Sequence, residues 1–474
     1  MRIVLAAVLS LLVQASAQAP YVPTEVLSRA QDIRDAGHRV AAQLWPGWDP
    51  GATPLGIYQQ GQYLAVLGAK EMPAPLKMDS ASSPADPLFV APTSAFPGVH
   101  FVNAVAIVAG QHVALISADD LMAKASAEDA AAFGIGQLFR SYEQQIAPKK
   151  HADYLVLLWG KYPDFATRNR VLMQMEADSL LDAIRAGDDE QCTKHVAEFL
   201  GARAERRKDL AADVIAYESG EEASDGLAGY VEYRLLETAF SAKPDLREQR
   251  VASLAKIREL PREREQERFV LLGMAEALLL DRLRPTWKRE FESSDAMLDE
   301  LLGRVTKPSP ELRAWGQALP EEQAKVRKWE DEGSRRIGLM MAQKARKVVI
   351  EVAGAKSKLQ LRALNPSMMV PLTPNDTAFT YLGVDFDDIK LDFAGVPVVY
   401  EKQQDAFWCM LPEDVVAKAI ADMGDKLKIE GRGFSLQFEN FEVSQRGKEI
   451  RIHPARILEK KGPVKPEFVK PKPN

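Results

Sequence analysis

Cysteine is nearly absent from this chain. Cys192 and Cys409 are the two thiols in 474 residues, so no disulfide framework can staple the fold. They fall in segments of different character, which leaves open either a single bridge or two separately buried thiols. Histidine is scarce too: His38, His100, His112, His151, His195 and His453 make six. No two of them share a helical turn, which excludes the His-x-x-x-His pair that carries zinc on a helix. His151, in a turn after two lysines, and His195, on a helix, read as surface or capping residues. Excess positive charge is lacking as well. Against 67 Asp and Glu stand 61 Lys and Arg, a net charge of −6, which argues against nucleic acid as a partner. No Gly-x-Ser-x-Gly elbow or phosphate-binding loop occurs, and Gly134-Ile135-Gly136 follows no strand, so it completes no dinucleotide fingerprint.

Long hydrophobic runs are missing except at the start. Arg2, the apolar run Ile3 to Val13, and Ala15-Ser16-Ala17 before Gln18 read as a signal peptide over residues 1–17. That run is too short to span a bilayer, and no later stretch reaches the roughly 20 apolar residues required. The expectation is an exported chain, periplasmic or extracellular, with no transmembrane segment after cleavage. With 46% hydrophobic and 27% charged residues, the remainder reads as globular protein of about two or three domains.

What is present sorts into four regions. Residues 18–125 combine a helix over 24–44 with short strands at 55–58, 63–67, 102–108 and 113–116; the Pro- and Ser-rich stretch 72–97 reads as a surface loop. Residues 126–345 are almost wholly helical, with helices expected over 129–146, 165–186, 190–217, 220–239, 246–260, 263–283, 287–305 and 320–343. From 346 to 456 the pattern is strand-like (348–352, 359–364, 379–382, 389–393, 396–400, 407–411, 434–443, 450–452), with one helix at 412–425. Phe434, Leu436 and Phe438 alternate with Ser435 and Gln437, as in a half-buried strand. The last region, 457–474, reads as a disordered Lys- and Pro-rich tail; from Glu459 it holds five lysines and four prolines. The fold class expected is α+β: a small N-terminal mixed sheet, a mainly helical core and a C-terminal β-rich domain.

Two stretches could carry chemistry. The first is the amphipathic helix over 129–146, where Ile135, Leu138, Phe139, Tyr142 and Ile146 make an apolar face and Gly136, Gln137, Arg140 and Gln144 share another. The second is Glu218 to Glu232. On a helical wheel Glu218, Glu221, Glu222, Asp225 and Glu232 fall within a sector of about 120°. Such a row either faces solvent or points inward to a cation or to arginines. Arg203, Arg206 and Arg207 lie on the preceding helix, placed to pair with neighbouring acids or to bind an anion.

Ser224-Asp225-Gly226-Leu227-Ala228-Gly229-Tyr230 resembles the x-Glu-Gly-[Phe/Leu]-Ala-x-Tyr signature of gluzincin-type metallopeptidases, whose Glu is a zinc ligand. Gly273-Met274-Ala275, Leu279-Leu280-Asp281 and Trp287-Lys288 resemble later helices of exported bacterial members. The likeness covers roughly residues 125 to 290 and implies a zincin-like core. It places the ligand and base positions of the family's His-Glu-x-x-His on Gly136, Gln137 and Arg140, and the third ligand on Asp225. Gly136 has no side chain, Gln137 cannot take a proton at neutral pH, and the Arg140 guanidinium offers no lone pair. The resemblance with these departures implies no catalytic residues, no metal site and no zinc.

A buried acidic row without a dication needs other positive charge, so Arg140 is expected to contact Asp225, Glu221 or Glu222. Together with Glu218 these residues form the expected charged cleft. The leading reading is a catalytically silent, metallopeptidase-like protein that binds or scaffolds at the cell envelope, its partner a protein, a peptide or an envelope polymer. The alternatives are a working hydrolase centred near Asp225 and a purely structural envelope protein.

Overall fold

The computed structural model describes residues 20–79, 82, 87–96, 101, 103–241, 243–312, 316–352, 359–365 and 368–454. The expected signal peptide (1–17) and Lys/Pro-rich tail (457–474) lie outside the described residues. The architecture is α+β, with an N-terminal mixed sheet, a helical middle and a C-terminal sheet.

The first helix is α1 (Thr24–Leu44), whose buried Val26, Ala30, Ile33, Ala36, Val40 and Leu44 recur every three or four residues. Six strands follow: β1 (Leu55–Gln59), β2 (Tyr63–Leu67), β3 (Lys77–Met78), β4 (Leu88–Pro92), β5 (Ala104–Val108) and β6 (Gln111–Ser117). They form one sheet in the order β3-β4-β2-β1-β6-β5, with β1 and β6 parallel and the other pairs antiparallel. The stretch expected as a loop over 72–97 therefore holds two strands. Leu88 to Ala91 are buried against β2, and the prolines and serines before them obscured a four-residue apolar run.

After the short helix α2 (Ala118–Met122) comes α3 (Ala127–Ile146), then α4 (Leu155–Leu158), α5 (Thr167–Arg185), α6 (Asp189–Arg207) and α7 (Ala212–Thr238). The helix expected over 190–217 ends at Arg207. Tyr217 belongs to α7, which starts eight residues before the expected Gly220, so the acidic row sits mid-helix rather than at a helix start. No Gly or Pro marks this break. Then come α8 (Pro244–Ala252), α9 (Glu267–Leu283), α10 (Trp287–Ser293), α11 (Leu298–Gly303) and α12 (Leu319–Met341). The expected 287–305 helix is cut where Ser294 turns extended and its hydroxyl accepts from the Ala296 N–H.

The C-terminal strands are β7 (Arg346–Glu351), β8 (Gln360–Leu364), β9 (Met369–Pro371), β10 (Asp376–Phe386), β11 (Ile389–Glu401) and β12 (Ala406–Leu411). After α13 (Glu413–Ala421) come β13 (Lys426–Gly431), β14 (Phe434–Glu439), β15 (Phe441–Arg446) and β16 (Glu449–Pro454). They share one sheet along β13-β14-β11-β12-β7-β16-β15, with β10 against β11 and β8 and β9 against β10. Two strand expectations are corrected, and one strand is added. The 389–393 and 396–400 segments are one strand; the 434–443 segment is two, parted at Asn440 in the left-handed region (φ 50°); and β13, a stretch left unassigned from sequence, pairs along its length with β14.

By contact density the chain forms two compact units. One comprises residues up to His38 with Asp49–Leu138; the other comprises Arg39–Trp48 with everything from Phe139. The division falls inside α3 rather than at residue 125, and it leaves the helical segment and the C-terminal sheet in one unit rather than parted at 346. Among the described residues no helix is long and apolar enough to cross a membrane.

Candidate functional site

Every titratable group of interest lies in the second unit, on α3, the loops either side of α4, and α5, α6, α7, α8, α9 and α11. Close backbone contact sets the scaffold. A Cβ on Gly226 would come 2.6 Å from the Gly273 Cα, and one on Gly273 would come 2.2 Å from the Glu222 carbonyl oxygen. These two glycines let α7 and α9 touch main chain to main chain, which carries Glu276 on α9 to the same buried space as Glu222.

The acidic row of α7 points inward. Glu218, Glu221 and Glu222 are all buried. Arg206 donates to both oxygens of Glu218 at 2.6 and 3.0 Å, and Tyr162 adds its hydroxyl at 2.6 Å. Arg203 clasps both oxygens of Glu222 at 2.9 and 2.6 Å. Glu176 on α5 bridges the two guanidiniums, taking Arg203 Nε at 3.0 Å and also bonding Arg206. Glu276 lies 2.8 Å from Arg203, and Asp299 of α11 pairs with Arg207 at 2.5 Å. The basic trio of α6 thus meets acids from four helices, the first of the two roles left open from sequence. Burial opposes charge on Glu218, but Arg206 outweighs it and holds the carboxyl below its ordinary range. Burial wins at Glu222, pushed up to about 7, and at Glu276, pushed well up.

One turn further along α7 the partner changes. Arg140 of α3 places Nη2 2.9 Å from Asp225 Oδ1. Both side chains are about a quarter exposed, at 20% and 28%. Glu221 takes a different partner, the Tyr154 hydroxyl. Glu232 goes to Arg250 at 2.5 Å. The five acids of the row thus share one face but divide among Arg206, Arg203, Arg140, Tyr154 and Arg250. Gly136 and Gln137, one turn before Arg140, are buried on the part of α3 that belongs to the first unit.

Sequence reasoning passed over Glu143. Its side chain is fully buried, and among the described residues neither carboxylate oxygen has a hydrogen-bond partner. Among basic groups, His151 brings Nδ1 to 3.6 Å of Oε2. Burial, reinforced by Asp225, pushes Glu143 up to about 8 against the pull of Arg140 and Lys150. Burial pushes His151 down, so its imidazole is neutral at neutral pH. Glu221, with Oε1 unpartnered, is likewise pushed up to about 8 by burial and then by Asp225. His151, expected as a surface or capping residue, is half-buried: its side chain is 28% exposed and hydrogen-bonds the Gln144 backbone, while its Nε2 is buried with no hydrogen-bond partner among the described residues. One signal was available, since Glu143 follows Arg140 by three residues and shares its helix face.

Chemically, the arrangement holds protons. Two carboxylic acids, a neutral imidazole and a phenol gather around one ion pair. Among the described residues no group of three or more His, Cys, Asp or Glu is placed to hold a metal ion. Cys192 and Cys409 are separate, buried free thiols. Comparison of the chain with protein-family models, with curated proteins and with solved structures found no match.

Proposed function

We propose that this chain is an exported, catalytically silent relative of the gluzincin metallopeptidases, acting by binding or scaffolding at the cell envelope. One observation carries the reading: the Arg140 guanidinium sits 2.9 Å from Asp225, at the positions the resemblance gives to two metal ligands. The residues do not suit a catalytic zinc. Gly136 offers no donor atom, Gln137 no base, and a protonated guanidinium both lacks a lone pair and takes up the carboxylate a metal would need. The positive charge of Arg140 would stand in for the missing dication. The partner in this reading is a protein, a peptide or an envelope polymer. Purified protein assayed against a broad peptide pool, with and without added zinc, is expected to release no products. Cleavage that stops on chelation and returns with zinc would overturn the proposal.

A second reading has its own support in the buried Glu143, whose oxygens accept no hydrogen bond among the described residues. A carboxylic acid held protonated to about 8 beside a neutral imidazole has the composition of a general acid–base pair, which fits a hydrolase centred near Asp225. Hydrolysis that survives chelation and disappears in Glu143→Gln would favour this reading over the first.

A further inference from the structure

The edges of the two sheets are unequally protected. An edge strand presents unpaired N–H and C=O groups, and charged side chains or proline ordinarily discourage another strand from adding to them. In the C-terminal sheet β13 carries Lys426, Lys428 and Glu430, β15 carries Glu442 and Arg446, β8 carries Arg362, and β9 ends in Pro371. In the N-terminal sheet the far edge, β3, has two residues and includes Lys77. The near edge, β5, is Ala-Val-Ala-Ile-Val, with neither charge nor proline, and Ile107 is 70% exposed.

The polarity of that edge can be worked out. Ala114 of β6 gives its N–H to the Pro54 carbonyl, on the β1 side. Val105, opposite Ala114, is therefore in a non-hydrogen-bonded pair with β6, and its own N–H and C=O aim outward. Two residues on, Ile107 does the same. Among the described residues no strand lies on that side. The hairpin is rigidly closed, because Ala109 and Gly110 both have positive φ (48° and 84°), the two-residue turn whose twist matches antiparallel strands.

We propose that β5 pairs with β5 of a second copy of this chain, antiparallel about a two-fold axis at Ala106, joining the two six-stranded sheets. In that register Val105 faces Ile107 of the other copy and Ile107 faces its Val105. Both residues have outward backbone groups, so each pair exchanges both N–H···O bonds. Ala106 meets itself at the axis, in the closer non-hydrogen-bonded pair that small side chains suit. Side chains match as well, β-branched against β-branched, and with no charge on the strand nothing repels an identical copy. Identical strands pair isologously, so the assembly closes as a dimer. The contact is one short strand pair, smaller than the roughly 1,600 Å² of a stable interface, so the dimer is weak and reversible.

Sedimentation of the full chain over a concentration series is expected to show a monomer–dimer equilibrium. Hydrogen exchange at the Val105 and Ile107 amides is expected to slow as concentration rises. Ile107→Pro removes an outward N–H without touching a bond to β6; it is expected to abolish the dimer and leave thermal melting unchanged. Ile107→Lys serves if the proline variant does not fold, and is likewise expected to be monomeric. A wild-type chain that stays monomeric up to its solubility limit, or a dimer that survives both substitutions, would overturn the proposal.

Discussion

Arg140 is the residue on which the reading turns. Its guanidinium is held to Asp225 by a charge-assisted contact about a quarter exposed to solvent. Arg140→Met removes the cation and leaves Asp225, Glu143 and Glu221 as like charges or neutral acids. The expected cost is about 1 to 3 kcal/mol, between an exposed ion pair and a buried one, read from denaturant midpoints at neutral pH. Glu143 makes the complementary case. Its carboxyl is held up to about 8 against an ordinary 4.5, so the folded state binds a proton the unfolded state releases. Stability from this group is full below about 4.5 and is lost as pH rises through about 8; Glu221 adds to the same trend. Thermal melting of the wild type is therefore expected to fall between mildly acid and mildly alkaline pH. Glu143→Gln, near-isosteric with the protonated acid, is expected to match wild type at the acid end and to melt higher at the alkaline end. Identical pH slopes for the two proteins would contradict this account of Glu143. Arg140 and Asp225 were legible because a motif named both positions. Glu143 was not, because an unpartnered buried carboxylate runs against the ordinary rule for acids, and only the fold brings His151 and Asp225 to it.

At the scale of elements, α7 is held to α9 both by side-chain charge and by absent side chains. Arg203 and Arg206 link α5, α6, α7 and α9 through Glu176, Glu218, Glu222 and Glu276. Such a network contributes little relative to an apolar core, yet it is costly to break. Arg203→Met strands two or more buried carboxylates and is expected to destabilise by about 3 to 5 kcal/mol. Beside that network, Gly273→Ala drives a methyl into the Glu222 carbonyl, and α7 and α9 must part. A loss of about 1 to 3 kcal/mol or more is expected by calorimetry; a neutral Gly273→Ala would refute the main-chain contact. Helix α1, with its regular apolar spacing, matches the sequence reading end to end. The break between α6 and α7 does not, because Lys208-Asp209-Leu210-Ala211 holds no Gly or Pro, and packing rather than local propensity ends the helix there. β4 was hidden by its proline-rich flank, and β13 by its alternation of Lys and Glu with only Leu427 and Ile429 inward.

For the whole molecule, composition and periodicity were enough to read an α+β chain with its sheet, helical and sheet-rich stretches in order. They were not enough to read the compact units, because the dividing point lies within α3, whose apolar face runs unbroken from Ile135 to Ile146 and gives no local sign of a boundary. The central claim, a peptidase-like core that has exchanged its metal for an arginine, is tested most directly by elemental analysis of protein purified from its natural setting without chelator. The account predicts zinc well below one ion per chain. A stoichiometric zinc that resists dialysis would contradict it.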